Sequence, residues 1–215
     1  MGQEILIRSY AASDREAVRR IAVATALMGR PANLFLEGDE ILADLLTLYF
    51  TDYEPESLFV AERSGEVVGY ISGAKDTHPM ERVFVTKILG PVFWRSIVSG
   101  FWGKAKNWAL LGRLFLSFVR GEFFTPDFYQ KYPATLHINL SENARAYGAG
   151  TSLIETYLAY LKKAAVPGVR MASMSLRAEA FFCKNGFEIL FQSPRTYFSH
   201  VMPEKVISTV YGKKL

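Results

Sequence analysis

Hydrophobic residues follow two different spacings within residues 136–163, LHINLSENARAYGAGTSLIETYLAYLKK. Over residues 136–140 they alternate with polar residues, which is the two-residue period of a strand. Over residues 153–161 they recur every three or four positions, which predicts one apolar face of a long helix. Residues 141–143 carry turn-forming side chains between the two patterns. This stretch is therefore predicted to run from a strand through a loop into a helix.

The same periods predict an α+β fold for the rest of the chain. Before this stretch we expect a strand over residues 4–9, a helix opening at the capping box of residues 13–16, a helix over 39–49, and strands over 57–63 and 66–74 joined by a turn at 64–65. After it we expect a strand over 169–174, a helix over 176–185 stopped by Gly186, and a closing strand pair over 187–191 and 197–202. Residues 207–215 are expected to form a frayed basic tail.

Residues 77–131 combine many aromatic residues with an excess of positive charge. Eight Lys and Arg residues stand against three acidic residues there, so the segment carries +5 and the rest of the chain sums to −1. The helical spacing of apolar residues within it predicts two or three helices inserted between the third and fourth strands. Its large aromatic side chains include Trp94, Trp102, Trp108, Phe115 and Phe118.

Two uses of this insertion are open. Its aromatics can lie on a membrane surface with the cations on anionic headgroups, or they can pack on the sheet and wall off a cleft. We favour the wall, because five large aromatics exposed together would be a solubility liability.

The composition limits the class of protein. A chain of 215 residues that is 50% hydrophobic is expected to form one domain over residues 1–215, with the insertion as part of it. The net charge of +4 is too small to argue for a nucleic-acid partner. The single cysteine, Cys183, excludes an internal disulfide and a multi-cysteine metal site, and we expect a cytoplasmic protein without a metal. No signal peptide or spanning segment is visible. The oligomeric state is open, with a homodimer as one option.

Residues 145–150 read RAYGAG, so an arginine and two glycines lead into the predicted helix. Unpaired N–H groups and the dipole at a helix start favour a phosphate-bearing ligand, and glycine leaves room for its approach. No Lys-Ser or Lys-Thr pair follows, which excludes a nucleoside-triphosphate loop, and the third glycine of a dinucleotide fingerprint is missing. The alternative is an ordinary loop with two glycines. The arginine, the strand before it and the amphipathic helix after it favour a pyrophosphate cradle.

Three stretches carry a resemblance to a known family. Residues 145–150 resemble the R/Q-x-x-G-x-G/A acetyl-coenzyme A loop of the GNAT N-acetyltransferase superfamily. Residues 178–187, AEAFFCKNGF, resemble its A-x-x-F-Y-x-x-x-G-F helix end, and residues 67–70, VVGY, resemble its V-x-G-Y/F third strand. Residues 73–79 and 132–138 also resemble a subfamily that includes the acetyltransferase-like domain of O-GlcNAcase and its stand-alone bacterial relatives.

The resemblance implies an α/β/α GNAT fold, with a mixed, mostly antiparallel twisted sheet splayed around the acetyl-CoA loop. It also implies acetyl transfer from acetyl-CoA to a primary amine of a small molecule or peptide. By resemblance, the cofactor contacts the end of the fourth strand, the glycine loop and the start and interior of the last helix. These positions are Asn139, Leu140, Arg145, Ala146, Tyr147, Gly148, Ala149, Gly150, Thr151, Ser175 and Phe182.

Direct transfer to an amine requires a base for the amine and a proton for the leaving thiolate. His137 is the best candidate base, because it lies on the fourth strand and titrates in the useful range. Its alternative role is that of a hydrogen-bonded histidine on a strand face. Asp76, just after the third strand, is the second candidate, and its alternative role is to cap the turn at Thr77 and His78.

The general acid is where the sequence departs from the family pattern. Phe182 stands where many GNAT enzymes have tyrosine, so this position has no proton to give, and Ser175 stands where asparagine is common. Tyr132 or water is then the expected proton donor. The departure also keeps a second class open, a module that binds coenzyme A or a partner without transfer activity. Cys183 is expected to pack rather than to act as a nucleophile.

Overall fold

The computed structural model describes residues 5–144, 148–175, 178–202, 204 and 206–215. Within these residues the strands are β1 Leu6–Ser9, β2 Phe59–Arg63, β3 Glu66–Ser72, β4 Ala134–Thr135, β5 His137–Leu140, β6 Gly168–Ser173, β7 Glu188–Arg195 and β8 Val206–Lys214. The α-helices are α1 Arg15–Thr25, α2 Asp39–Asp52, α3 Thr77–Val83, α4 Leu89–Val98, α5 Ala105–Val119, α6 Ala149–Lys163 and α7 Ala178–Lys184. No helix in the described part of the chain is long and apolar enough to cross a bilayer.

The first sheet has the strand order β1-β2-β3-β5, with every neighbouring pair antiparallel. Its β2–β3 hairpin turns at Ser64 and Gly65, whose φ angles of 53° and 80° both lie in the left-handed region. A two-residue turn of this kind matches the twist of its flanking strands, so the predicted hairpin is confirmed. The second sheet has the order β4-β6-β8-β7, in which only β4 and β6 run parallel. The predicted mixed, mostly antiparallel arrangement is therefore confirmed.

Residues 134–136 join the two sheets. The Thr135 N–H donates to the Ala74 carbonyl at 3.0 Å on one side, and the Leu136 N–H donates to the Arg170 carbonyl at 3.2 Å on the other. Tyr157 of α6 donates its hydroxyl to the Thr135 carbonyl at 2.8 Å. Gly73 packs beneath this junction, where an added Cβ would lie 2.0 Å from the Thr135 carbonyl oxygen and 2.2 Å from the Tyr157 hydroxyl. Only glycine fits there without displacing the junction.

Helices cover the two faces of the first sheet because successive strand residues point in opposite directions. Phe59 and Ala61 of β2 pack in the cluster that includes α6, whereas Leu58 and Val60 pack in the cluster that includes α1 and α2. The spacing of apolar residues on α6 predicted at the outset is confirmed, since all five of them are buried: Leu153, Ile154, Tyr157, Leu158 and Leu161.

Of the predicted closing strand pair, the first strand is confirmed and the second is wrong. β7 pairs with β8, the central strand of the second sheet, whereas residues 197–201 form consecutive turns. Phe198 belongs to the core and packs edge-on against Phe35 at 5.0 Å, so its apolar neighbourhood reflects burial rather than a strand. The prediction of a frayed tail over residues 207–215 is also wrong, because residues 206–214 form β8, which hydrogen-bonds to β6 on one side and β7 on the other.

Two or three helices were predicted in the insertion, and it contains three, α3, α4 and α5, with a π-helical turn at Phe84–Ile88 between the first two. Several of its apolar residues pack against the rest of the domain, with Ile88 and Val92 in one apolar cluster and Leu110 of α5 in another. The expectation that its large aromatics pack on the sheet is wrong for Trp94, Trp108, Phe115 and Phe118, which are all exposed. Trp102 is partly buried.

Candidate active site

The two sheets separate beyond Leu136, and we call the gap between β5 and β6 the fork. β4 pairs with β6 through Ala134 and Thr135, but β5 pairs only with β3 among the described strands. The remainder of β6 is held by β8 on its other edge. Strands that part in this way leave room for a slender ligand arm between them.

A pocket of about 320 Å³ opens beside β5, on the face of the sheet covered by α1 and α2. We call it the acceptor pocket. Three elements supply its lining: Leu45, Leu46, Tyr49 and Phe50 from α2, Tyr70, His137 and Asn139 from the sheet, and Met80, Glu81, Phe84 and Val85 from the start of the insertion. The pocket is therefore mostly apolar, with its polar groups concentrated on β3 and β5.

His137 points into this pocket from the first position of β5. Its ring lies 6.0 Å from the ring of Phe50, and no hydrogen bond joins its imidazole to another described residue. The imidazole is open to the pocket, but the surrounding protein desolvates it and lowers its pKa. A lowered pKa keeps the ring neutral at pH 7, which is the form that accepts a proton.

Asn139 and Tyr70 are directly paired across β5 and β3 and share the pocket-facing side of the sheet. The Asn139 Nδ2 donates to the Tyr70 hydroxyl at 2.8 Å, and the Thr25 hydroxyl donates to Asn139 Oδ1 at 3.0 Å. Burial raises the pKa of Tyr70 far above neutral pH, so the phenol stays protonated. Because its oxygen accepts from Asn139, its own proton is left for a group in the pocket. The sequence VVGY predicted only a strand, and it gave no sign that the Tyr70 hydroxyl faces a pocket.

Asp76 is not brought into the pocket with His137. Its carboxylate accepts from the backbone N–H of His78 at 2.9 Å, at the start of α3, and from the Tyr129 hydroxyl at 3.0 and 3.1 Å. The His78 ring stacks on the Tyr129 ring at 3.6 Å. The structure thus gives Asp76 the capping role that stood as its alternative.

Tyr132 is also separated from the pocket. It is 5% exposed, and its ring packs where Cβ atoms on Gly168 and Gly212 would lie. Gly168 begins β6, at the end away from the fork, so the Tyr132 hydroxyl is not placed beside His137. A proton-donating role for Tyr132 therefore has no geometric support.

The glycine loop leads into α6 at the far end of β5. Gly148 stands at the N-cap with φ 75°, and an added Cβ there would meet no described residue within 4 Å. Gly150 differs, because its Cβ would meet the Phe181 ring at 3.0 Å and Leu140 at 3.2 Å. Glycine at position 148 thus allows the left-handed backbone angle and leaves open space above the helix start. Glycine at position 150 instead allows the close packing of Phe181 and Leu140. Ala149 is buried and Thr151 is partly buried in the first turn. Arg145, Ala146 and Tyr147 lie outside the described residues.

Phe182 is buried in the apolar core. It is 3% exposed, and its ring lies 5.5 Å from Phe187 and 5.3 Å from Tyr211. The neighbouring Phe181 borders Gly150 instead. The expected contact between Phe182 and the cofactor arm therefore stays a prediction, and its burial shows a packing role in the core. Ser175 lies between β6 and α7, where its carbonyl accepts from the Ala178 N–H at 3.0 Å.

One family model and several solved structures match this chain. The model of the acetyltransferase (GNAT) family matches residues 16–187. The search of the curated proteins found no match to the chain.

Several solved structures share the fold. The crystal structure of SsHAT superposes with a TM-score of 0.70 at 24% identity, over 98% of this chain and 98% of that one. A polyamine N-acetyltransferase of Drosophila melanogaster, which forms N-acetylagmatine, gives 0.64 at 14% identity, over 99% and 100%. YncA of Salmonella typhimurium, a putative acetyltransferase solved with acetyl-CoA, gives 0.59 at 13% identity, over 98% and 94%. At these identities the likeness establishes the fold.

Proposed function

Because this chain belongs to the acetyltransferase (GNAT) family, whose members use acetyl-CoA, we propose that it acetylates the primary amine of a small molecule with an apolar body. The observation that carries the proposal is the acceptor pocket. It brings the imidazole of His137 on β5 and the hydroxyl of Tyr70 on the adjacent strand β3 into one cavity. We also propose that residues 1–215 act as one domain, because Phe101 of the insertion packs against two of the apolar clusters.

The described residues fit acetyl-CoA at two places near the carboxyl end of β5, the fork and the start of α6. The open space above Gly148 suits a phosphate at the start of α6, where the first helical N–H groups have no intrahelical partner. The fork beside Asn139 and Leu140 suits the narrow pantetheine arm. Bound acetyl-CoA supplies the acetyl group and a thiol leaving group. Arg145, Ala146, Tyr147, Thr151 and Ser175 remain proposed contacts without a described geometry toward it.

His137 and Tyr70 then have separate tasks. A neutral His137 accepts a proton from the attacking amine, so that the nitrogen lone pair is free to form the new amide bond. Tyr70 donates its proton where the thiolate departs, and Asn139 fixes the direction of the phenol through its own N–H. One proton leaves nitrogen and one reaches sulfur. His137 then releases its proton to solvent and Tyr70 takes one up, which restores both groups and balances the cycle. Backbone N–H groups near the carbonyl can polarise it further.

The lining favours an amine attached to an apolar or aromatic group over a linear polyamine. Glu81 is the one carboxylate among the described lining residues, whereas Leu46, Phe50 and Phe84 present apolar surface. A polycation would need several anions to replace its water, and burial of an apolar group stabilises binding by about 25 cal/mol per Å².

The test measures thiol release from acetyl-CoA with a phenylalkylamine and with a linear polyamine of similar length. We expect the phenylalkylamine to give the higher kcat/KM, and Glu81→Gln to raise KM for both amines. Equal or reversed selectivity would contradict the proposed acceptor class while leaving acetyl transfer standing.

A module that binds coenzyme A without transfer remains the second candidate, because Phe182 supplies no acid. The narrower resemblance to the O-GlcNAcase-like subfamily also stays a proposal. Its two stretches, residues 73–79 and 132–138, lie side by side, since the Thr77 N–H donates to the Pro133 carbonyl at 3.0 Å. Coenzyme A binding without amine-dependent thiol release from any primary amine would favour the non-catalytic module. A cytoplasmic location, based on the single cysteine, is part of the same proposal.

A further inference from the structure

The insertion exposes an unusual amount of apolar surface. Among the residues that the structure describes, 13 of the 19 exposed large hydrophobic side chains belong to residues 85–124. Trp94 is 67% exposed and Phe118 is 69% exposed. We call the exposed apolar side chains of residues 85–124 the insertion face. A surface of this composition is uncommon on a protein that contacts only water.

The insertion face is continuous between its two main helices. The Phe93 ring of α4 lies 6.1 Å from the Trp102 ring, which lies 5.5 Å from the Trp108 ring of α5. The indole N–H of Trp102 donates to Ser96 Oγ at 2.8 Å, and that of Trp108 donates to the Trp102 carbonyl at 2.7 Å. These donors are satisfied within the protein, so both indoles can meet an apolar medium without losing a hydrogen bond.

The same segment carries charge of one sign. Residues 82–121 contain seven Lys and Arg residues and no Asp or Glu. Three of these cations pair with acidic residues outside the segment, Arg95 with Asp44 and both Lys104 and Lys106 with Glu37. Positive charge remains in excess, so a second copy of this chain placed on the insertion face would bring two positive surfaces together, which opposes self-association. A surface of anionic lipids is complementary in both respects, since it offers negative headgroups beside an apolar layer.

The insertion face also reaches the acceptor pocket. Val85 lines the pocket and is exposed, and Leu89 and Phe93 follow it at four-residue intervals and are exposed as well. This column forms an apolar path from the pocket mouth to Trp102.

We propose that the insertion face docks on an anionic membrane surface, with its aromatic side chains at headgroup level and its Lys and Arg residues on the lipid phosphates. The chain then lies on the bilayer without crossing it, and the mouth of the acceptor pocket is next to lipid. This inference stands whether or not acetyl transfer to an apolar amine is correct.

Vesicle sedimentation of the full chain tests the proposal. We expect binding to phosphatidylcholine vesicles that contain roughly one third phosphatidylserine, weaker binding to pure phosphatidylcholine, and loss of binding at about 1 M NaCl. Trp94→Ser combined with Phe118→Ser should reduce the partition coefficient by about tenfold or more, because both side chains are exposed and both leave water on docking. The matched control combines Leu6→Ser with Ile189→Ser, two exposed apolar residues elsewhere, and should bind like the wild type.

A charge pair separates electrostatic docking from simple adhesion. Lys87→Gln with Lys104→Gln should reduce partitioning by about 30-fold, whereas Lys162→Gln with Lys163→Gln, which removes the same charge from the end of α6, should leave it nearly unchanged. Absence of binding to anionic vesicles would overturn the proposal. An equal loss of partitioning in the two double-lysine variants would also overturn it. So would a dimer in sedimentation velocity that the Trp94 and Phe118 substitutions dissociate, because the face would then be a protein interface.

Discussion

The side-chain amide of Asn139 donates to the hydroxyl of Tyr70 at 2.8 Å, between positions that are directly paired across β5 and β3. This bond occupies the phenol oxygen and leaves the phenol proton to face the acceptor pocket. Since burial raises the pKa of Tyr70, the proton is present throughout the physiological range. A proton donor thus lies on the third strand, although the position that commonly supplies one in this family is Phe182.

Replacing Tyr70 with phenylalanine should lower kcat by about 100-fold, because the departing thiolate loses its proton donor. The measurement is steady-state thiol release with the best amine found. A structural role alone would depress the rate with every acyl donor. An acetyl aryl thioester, whose thiol is far more acidic, should largely restore the rate if Tyr70 is the acid. A defect of the same size with both donors would remove this role.

The pH dependence should identify His137. Desolvation lowers its pKa below the usual value of about 6.5, so the acid limb of kcat/KM should fall with an apparent pKa below that value. His137→Gln should lower the rate and abolish this limb. A limb that persists unchanged in the variant would assign the base to another group or to solvent.

The same shift has a consequence for stability. The pKa of His137 is lower in the folded protein than in the unfolded chain, because folding favours the neutral ring. The stability linked to the neutral ring is therefore fully present above the unfolded pKa, and it is lost as the pH falls through the folded pKa. Urea unfolding of the wild type and His137→Gln at several pH values should show a smaller acid destabilisation in the variant. Parallel curves would contradict the direction of the shift.

The affinity for coenzyme A should depend on the charge at position 148 and not only on the backbone angle there. Gly148→Asp places a carboxylate at the start of α6, where the phosphates of acetyl-CoA are proposed to bind, and should weaken coenzyme A binding at least about tenfold in titration calorimetry. Gly65→Asp is the matched control, since Gly65 has φ 80° and equally open surroundings but lies in the β2–β3 turn. Aspartate tolerates the left-handed region at both positions. Equal affinities in the two variants would place the phosphates elsewhere.

Gly73 should be the glycine least tolerant of substitution by alanine near the site. The added methyl would meet the Thr135 carbonyl and the Tyr157 hydroxyl, so we expect a loss of about 1–3 kcal/mol in the free energy of unfolding. Gly65→Ala carries strain from its positive φ but no clash, and should cost about 1 kcal/mol, the lower end of the usual penalty for the left-handed region. Denaturant unfolding compares the two, and equal losses would show that the junction can relax.

Sequence periodicity captured the elements whose apolar residues lie on one face. α6 buries the five residues that its spacing singled out, and the β2–β3 turn falls at Ser64 and Gly65. β8 was missed because a central strand is covered on both faces and does not alternate clearly.

The candidate site was predictable in its position but not in all its residues. His137 was singled out because histidine on the fourth strand is chemically distinctive. The structure places it in the acceptor pocket, and its role as the base stays a prediction. Phe181 and Phe182 are adjacent on one helix, and the pattern alone does not say which of them faces Gly150 and which faces the core. The donor role of Tyr70 depends on its pairing with Asn139, a long-range contact between β3 and β5.

The most direct test of the account is whether filling the acceptor pocket blocks the amine and spares coenzyme A. Leu46 lines the pocket and is 38% exposed, so Leu46→Trp should occupy the pocket mouth without disturbing the core. Leu34→Trp, at a residue that is 43% exposed away from the pocket, is the control. We predict that Leu46→Trp raises KM for the amine at least about tenfold while the Kd for coenzyme A stays within about twofold of the wild type. Unchanged amine kinetics in Leu46→Trp would contradict the account.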